Sequence, residues 1–146
     1  MSWLGNEREA EIFVAHLIWP TGPRCPFCSS ERSTVLQRAD SKVQLYKCRD
    51  CRRNYTVRRG TVFDHTHLQL SQWLEAMQVL ADAPSVSAGD LAQRIGVSRR
   101  TAYRVLSSLR EVIGNVSNAP QLEAHLSFND IASAIRASWR AWFVEE

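Results

Sequence analysis

The stretch CPFCSSERSTVLQRADSKVQLYKCRDC, residues 25 to 51, contains all four cysteines of the 146-residue chain, as two C-x-x-C pairs with nineteen residues between them. Zn2+ takes four thiolates in a tetrahedron, and a C-x-x-C turn presents two of them at the required separation, so two such turns close one site. Cys25, Cys28, Cys48 and Cys51 are therefore the expected ligands of a single structural zinc ion. Four cysteine ligands leave no coordination position open for a substrate or an activated water. A thioredoxin-like redox pair needs one C-x-x-C at a helix start within a βαβ unit, and neither pair has that context. Two disulfides would need an oxidising compartment. Between and after the pairs, RSTVLQR, KVQLYKC and NYTVRR are short alternating runs, the first two joined at Ala39, Asp40 and Ser41, and they predict three strands of a zinc ribbon over residues 21–64. So small a sheet buries too little apolar surface to hold itself, so metal binding would provide much of its folding free energy.

The chain is 45% hydrophobic with a net charge of +3, ordinary values for one globular domain or two small ones. The charge is unevenly spread: residues 21–60 carry ten basic side chains against three acidic, a net +7, which leaves −4 for the rest. A basic segment in an otherwise acidic chain predicts an anionic partner, most commonly nucleic acid; the plainer alternative is that surface arginine only solubilises a small domain. Arg49, Arg52, Arg53, Arg58 and Arg59 are the expected phosphate-gripping residues of the ribbon. Basic neighbours also keep thiolates ionised, but that does not account for Arg58 and Arg59, well past the last cysteine. No run approaches the roughly 18 apolar residues of a membrane span. The N-terminus, with Glu7, Glu9 and Glu11 around Arg8, lacks the basic start and apolar core of a signal peptide. The expectation is a cytoplasmic, nucleoid-associated protein with no membrane partner and no evident small-molecule substrate.

From Ser71 the period becomes helical. Trp73, Leu74, Met77, Val79 and Leu80 fall roughly on one face of SQWLEAMQVLADA, with Ser71 as its cap and Pro84 as its end. SAGDLAQRIGVSRRTAYRVLSSLREVIG then divides into a short helix from Ser87 to Ile95, a tight turn at Gly96 and Val97, and a longer helix capped by Ser98. This is the helix-turn-helix pattern: Ala92 lets the helices cross closely, and Leu91, Ile95, Val97, Ala102 and Val105 supply their shared core. If the second helix buries Ala102, Val105, Leu106 and Leu109, then Ser98, Arg99, Arg100, Thr101, Tyr103, Arg104 and Ser107 face outward or lie on the flanks. Arginine near the start of a recognition helix can make bidentate contacts to guanine, while Ser, Thr and Tyr commonly hold phosphates. Double-stranded DNA is the expected partner, and an αα-hairpin with a solvated basic face is the alternative.

These residues resemble bacterial insertion-sequence transposases of the DDE type that begin with a transposase zinc-ribbon domain. The similarity runs through LIWPTGPRCPFCSS, YKCRDCRRNYTVRRGTVFDHTHLQLSQWLEAM and LAQRIGVSRRTAYRVLSSLR, about residues 9 to 113. It implies that Cys25, Cys28, Cys48 and Cys51 bind zinc, and that the ribbon and helix-turn-helix bind the element's terminal DNA. The family's ribonuclease-H-like catalytic domain should follow, with carboxylates converging on two Mg2+ ions. Here about 33 residues remain after the helix-turn-helix: a polar NVSNAPQ linker, then a helical LEAHLSFNDIASAIRASWRAWFVEE whose only acids are Glu123, Asp130, Glu145 and Glu146. The expectation is a non-enzyme with the recognition half and without the catalytic half.

The predicted organisation is α+β: an N-terminal helix (1–20), the four-cysteine zinc-ribbon sheet (21–64), an all-α helix-turn-helix domain (70–114) and a C-terminal amphipathic helix (121–146). In the last, Leu126, Phe128, Ile131, Ile135, Trp139, Trp142 and Phe143 recur at three-to-four spacing behind a capping Ser127. That stripe either packs back onto the helix-turn-helix or forms a homodimer seam. Glu7, Glu9 and Glu11 read as the solvated start of the first helix, and His65 and His67 beside Asp64 as a loop rather than a second metal site. The function expected is sequence-specific DNA binding by a transcription regulator derived from a transposase. The alternatives are a truncated transposase accessory or inhibitor bound to element ends, and a zinc-ribbon protein–protein adaptor.

Overall fold

The computed structural model describes residues 3–36, 44–64, 67–117 and 127–144, with side chains for all of these except 115–117 and 138–144. The class is α+β. In chain order the elements are α1 (Glu7–Ile18), β1 (Ser33–Leu36), β2 (Leu45–Cys48), β3 (Asn54–Tyr55), α2 (Leu70–Asp82), α3 (Ala88–Ile95), α4 (Arg99–Ser117) and α5 (Phe128–Val144).

The three strands form one antiparallel sheet in sequence order, with Ser33 opposite Cys48, Leu36 opposite Leu45 and Tyr46 opposite Tyr55. The expected joint at Ala39, Asp40 and Ser41 lies outside the described residues. β3 is shorter than NYTVRR predicts. After Tyr55 the backbone passes through consecutive turns, in which Arg59 N–H bonds Thr56 O, Thr61 N–H bonds Arg58 O and Asp64 N–H bonds Thr61 O. The Thr61 hydroxyl donates to Arg58 O at 2.6 Å, the kind of local side-chain bond that draws backbone away from a strand.

α2 is the central helix. Leu70, Trp73, Leu74, Ala76, Met77, Val79 and Leu80 are all buried, more than one face can supply, because α1, α3, α4 and α5 surround it. Phe63, leaving the ribbon, meets Trp73 edge to face at 5.3 Å. The N–H groups of Leu70 and Ser71, orphans of the first turn, donate to the two carboxylate oxygens of Glu7, each at 2.9 Å. Two sequence expectations are corrected here. Ser71 is not the cap: α2 starts a residue earlier, and the buried Ser71 hydroxyl lies inside the helix with no hydrogen-bond partner among the described residues. Nor are the α1 acids simply solvated, since Glu7 caps α2 and Glu11 accepts the Gln44 N–H at 2.8 Å.

α1 thereby ties the two halves together. At its end, Trp19 packs edge-on against Tyr46 and Tyr55 of the sheet, with ring centroids 5.2 and 5.7 Å away. Midway along it, Phe13 packs with Trp3 and with Phe128 of α5 at 5.3 and 5.5 Å.

The helix-turn-helix closes as its sequence predicts. Ser87 Oγ accepts the Asp90 N–H and Ser98 Oγ the Thr101 N–H, each at 3.1 Å. Gly96 turns the chain at φ +73°, a left-handed conformation that glycine adopts without a Cβ penalty. Leu91, Ala92, Ile95, Ala102, Val105, Leu106 and Leu109 are buried and Val97 is half-buried. Arg110 fastens α4 to the loop before α3 through the carbonyls of Pro84 and Val86, at 3.0 and 3.2 Å. α4 does not stop at Gly114; it continues to Ser117. α5 begins with a reciprocal cap between Ser127 and Asp130 and buries Ile131, Ala132, Ala134 and Ile135, packing against α1, α2 and α4. Leu126 and the side chains of Trp139, Trp142 and Phe143, which the dimer alternative invokes, lie outside the described residues.

Removing the Glu7 carboxylate orphans two helix N–H groups at once. Glu7→Ala should lower unfolding free energy by about 1–2 kcal/mol, measured by urea denaturation, whereas Glu9→Ala, at an exposed position of the same helix, should change it by less than about 0.5 kcal/mol.

Candidate metal centre and nucleic-acid interface

Both cysteine pairs sit in turns of the same construction. Cys25 N–H bonds Ser30 O and Cys48 N–H bonds Arg53 O, each at 2.9 Å, so each turn closes over six residues. The residue after each second cysteine takes a left-handed conformation, Ser29 at φ +70° and Arg52 at φ +65°. Backbone N–H groups point at sulfur: Phe27 to Cys25 Sγ at 3.3 Å, and Asp50 and Cys51 to Cys48 Sγ at 3.4 Å. Asp50 links the two turns by accepting from the Ser30 hydroxyl and, at 3.0 Å, from Arg32.

The four sulfurs lie within 4.8 Å of one another, with Cys25 and Cys51 3.6 Å apart and Cys28 and Cys48 3.4 Å apart. A tetrahedron with Zn–S bonds of about 2.3 Å has edges of about 3.8 Å. The cluster therefore fits one Zn2+, and the chain has a four-cysteine site for a single structural zinc. Before metal binds, the thiols are unequal. Burial pushes Cys25 up to about 12. Burial also works to raise Cys48, but the N–H groups of Cys51 and Asp50, with the thiols of Cys28 and Cys51, together outweigh it and bring the thiol down to about 6. Metal binding displaces the remaining protons. The other metal reading, Asp64 with His65 and His67, has no cluster among the described residues; His67 is exposed and His65 lies outside them.

The predicted ribbon arginines divide into three environments. Arg49 and Arg52 are exposed. Arg53 and Arg59 converge on the Phe27 ring, their guanidinium carbons 4.8 and 5.2 Å from its centroid, and Arg59 Nε also lies 3.9 Å from Asp64. Arg58 turns inward and donates from Nε and Nη2 to Phe63 O at 3.2 and 3.0 Å. Burial lowers its affinity for the proton, opposed by the nearby carboxylates of Glu7 and Asp64. It thus belongs to the joint between ribbon and α2. The convergence on Phe27 has a faint sequence signal, an aromatic residue between two ligands with arginines after the last.

On α4, Arg100, Tyr103, Arg104 and Ser107 are exposed, as are Ser98 and Arg99, and Thr101 is half-buried. Tyr103 is 66% exposed, unusual for a large aromatic residue. The Arg99 guanidinium lies over Gly89 of α3, where a Cβ would come within 3.2 Å of it. A cleft of about 640 Å3 separates α4 from the start of α2, and Thr101, Tyr103, Arg104 and Ser107 share its wall opposite His67, Leu68 and Gln72.

Among the described residues no helix is long and apolar enough to cross a membrane. Because the sheet has so few strands, its order should follow the metal. One zinc per chain is expected by elemental analysis, and a strong chelator should abolish the Tyr and Trp near-ultraviolet dichroism of the Trp19, Tyr46 and Tyr55 cluster. Retention of that signal in metal-free protein would contradict a structural zinc.

Comparison with known proteins agrees with this geometry. Residues 5–54 match the transposase zinc-ribbon domain and residues 73–117 match an HTH domain, both DNA-binding rather than catalytic. The chain is 34% identical over 100 residues to a Halobacterium salinarum protein described as an uncharacterized protein in transposable element ISH50; the match covers 68% of this chain and 33% of that protein. The chain thus spans about a third of the length of the curated relative it matches. No solved structure matches it. By these matches the chain carries a transposase zinc ribbon followed by a helix-turn-helix, consistent with the N-terminal region of an insertion-sequence transposase.

Proposed function

We propose that the chain is a zinc-stabilised, sequence-specific DNA-binding protein in which α4 enters the major groove while ribbon arginines hold phosphates, acting as a transcription regulator derived from a transposase. The observation that carries this reading is the charge at the start of α4. Arg99, Arg100 and Arg104 occupy its first turns, and no acidic residue appears before Glu111. A helix N-terminus is the positive end of the macrodipole, so Arg99 and Arg100, in its first turn, are each opposed by about 0.3–1 kcal/mol. Folding stability alone would favour acids at these positions; an anionic ligand reverses the preference. Exposed Tyr103 and Ser107, on the same helix, are suited to phosphate contacts.

A second reading, that the bound sites are the terminal repeats of an insertion element, draws support from the relative's description as a protein in a transposable element. On either reading the proposed function is recognition of duplex DNA.

A duplex selected from random sequence should discriminate between base and backbone contacts. Arg100→Ala and Arg104→Ala should each weaken binding to the selected site by about 1–3 kcal/mol, and random duplex much less. Arg52→Ala should weaken both about equally; equal losses for all three variants would reject base reading by α4. Genome-wide occupancy of the tagged protein should fall in promoters for a regulator and at inverted repeats for the second reading. No binding at physiological salt would favour a protein adaptor instead.

A further inference from the structure

Phe27 lies between the first two zinc ligands, Arg53 two residues beyond the last, and Arg59 in the turns that leave the ribbon. Closure of the metal site brings the three together, with both guanidinium groups on one ring. The two guanidinium carbons are no farther apart than the sum of their distances to the ring centroid, about 10 Å, close to the Debye length of about 10 Å at 0.1 M salt, so they repel each other through partial screening. An arginine resting on a half-buried ring gains little and gives up much of its rotamer freedom. Stability alone therefore gives a weak reason to gather two of them. Asp64 lies 3.9 Å from Arg59 and also accepts the Gly60 N–H at 3.3 Å, offsetting one of the charges. Among these three side chains, two guanidiniums and one carboxylate sum to one positive charge, which a single phosphodiester would match. The sulfurs, for their part, receive hydrogen bonds from the backbone N–H groups of Phe27, Asp50 and Cys51.

We propose that Arg53 and Arg59 form a clamp for one backbone phosphate of duplex DNA, and that Phe27 is its positioning residue. This rests on the DNA-binding reading above and adds to it a defined site on the ribbon. Phe27 carries no charge, so its contribution is separable from bulk electrostatics. Its ring fixes where the two forks point, and Arg58, anchored on Phe63 O, is outside the clamp.

The test uses the zinc-loaded full chain and its selected duplex, with affinity measured by fluorescence anisotropy across a salt series. Zinc content and circular dichroism are recorded for every variant. The double variant Arg53→Ala/Arg59→Ala should bind about tenfold more weakly and flatten the slope of log K against log salt by about one, the signature of one lost phosphate contact. Phe27→Leu, with its charge intact, should lose several-fold and flatten the slope similarly, while Phe27→Tyr should bind as wild type does. Wild-type affinity and slope in a zinc-loaded Phe27→Leu variant would overturn the positioning role. The arginine double variant removes no residue next to the sulfurs, and an unchanged slope there would overturn the clamp. Absence of any DNA binding by the wild-type chain would instead remove the reading on which the clamp rests.

Discussion

Four sulfurs held within 4.8 Å of one another impose the condition on which the rest of the ribbon depends. Two thiolates about 4 Å apart repel by roughly 4 kcal/mol at an effective dielectric of about 20, so four cannot share this space as anions without a cation among them. The backbone prepares for the metal through N–H groups aimed at Cys25 and Cys48 and through left-handed Ser29 and Arg52, positions where a side chain costs energy and where the turn needs the residue nonetheless. A three-stranded sheet with one two-residue strand has little else to hold it. The metal centre is therefore a folding device, and its effect reaches outward because the arginines and tyrosines of the ribbon are placed by it.

α1 carries that placement to the helices. Its far end packs Trp19 on the sheet tyrosines, its first residue caps α2, and Phe13 joins Trp3 and Phe128 beside α5. Glu7, the α2 N-terminus and inward-turned Arg58 meet where ribbon becomes helix bundle, so a negative charge satisfies two orphan amides and stands near a half-buried cation. α2 in turn supports the helix-turn-helix: Gln72 Nε2 reaches Ile95 O at 3.0 Å, just before the Gly96 turn that sets the direction of α4. The outward face of α4 thus rests on a chain of contacts that begins at the zinc ligands.

Function follows from charges that folding alone would not select. Arginines at the positive end of α4 oppose its dipole, and two more crowd one ring on the ribbon. Each arrangement is relieved by an anion, and duplex DNA supplies anions at regular spacing along both strands. The domains matched by sequence are of DNA-binding type and agree with this electrostatic argument, which stands on the residues themselves.

The metal ligands and the helix-turn-helix were legible in the sequence because each is encoded within a short window. C-x-x-C spacing is a property of one turn, and Ala92, Gly96 and the apolar positions around them fall in register along two adjacent helices. The three ribbon strands were legible in place, and the third is shorter than NYTVRR predicts because local bonds from Thr61 compete with it. What tertiary structure alone decided are pairings across long separations: Glu7 capping a helix 63 residues away, Arg58 turning inward where Arg59 stays out, Arg53 and Arg59 meeting on Phe27, and α2 buried on nearly every side. Such pairings leave no periodic trace, since a residue's partner across the fold does not constrain its neighbours along the chain. A sequence can therefore specify which groups are charged, apolar or metal-binding, while only the packed chain determines which of those charges remains on the surface to meet a ligand.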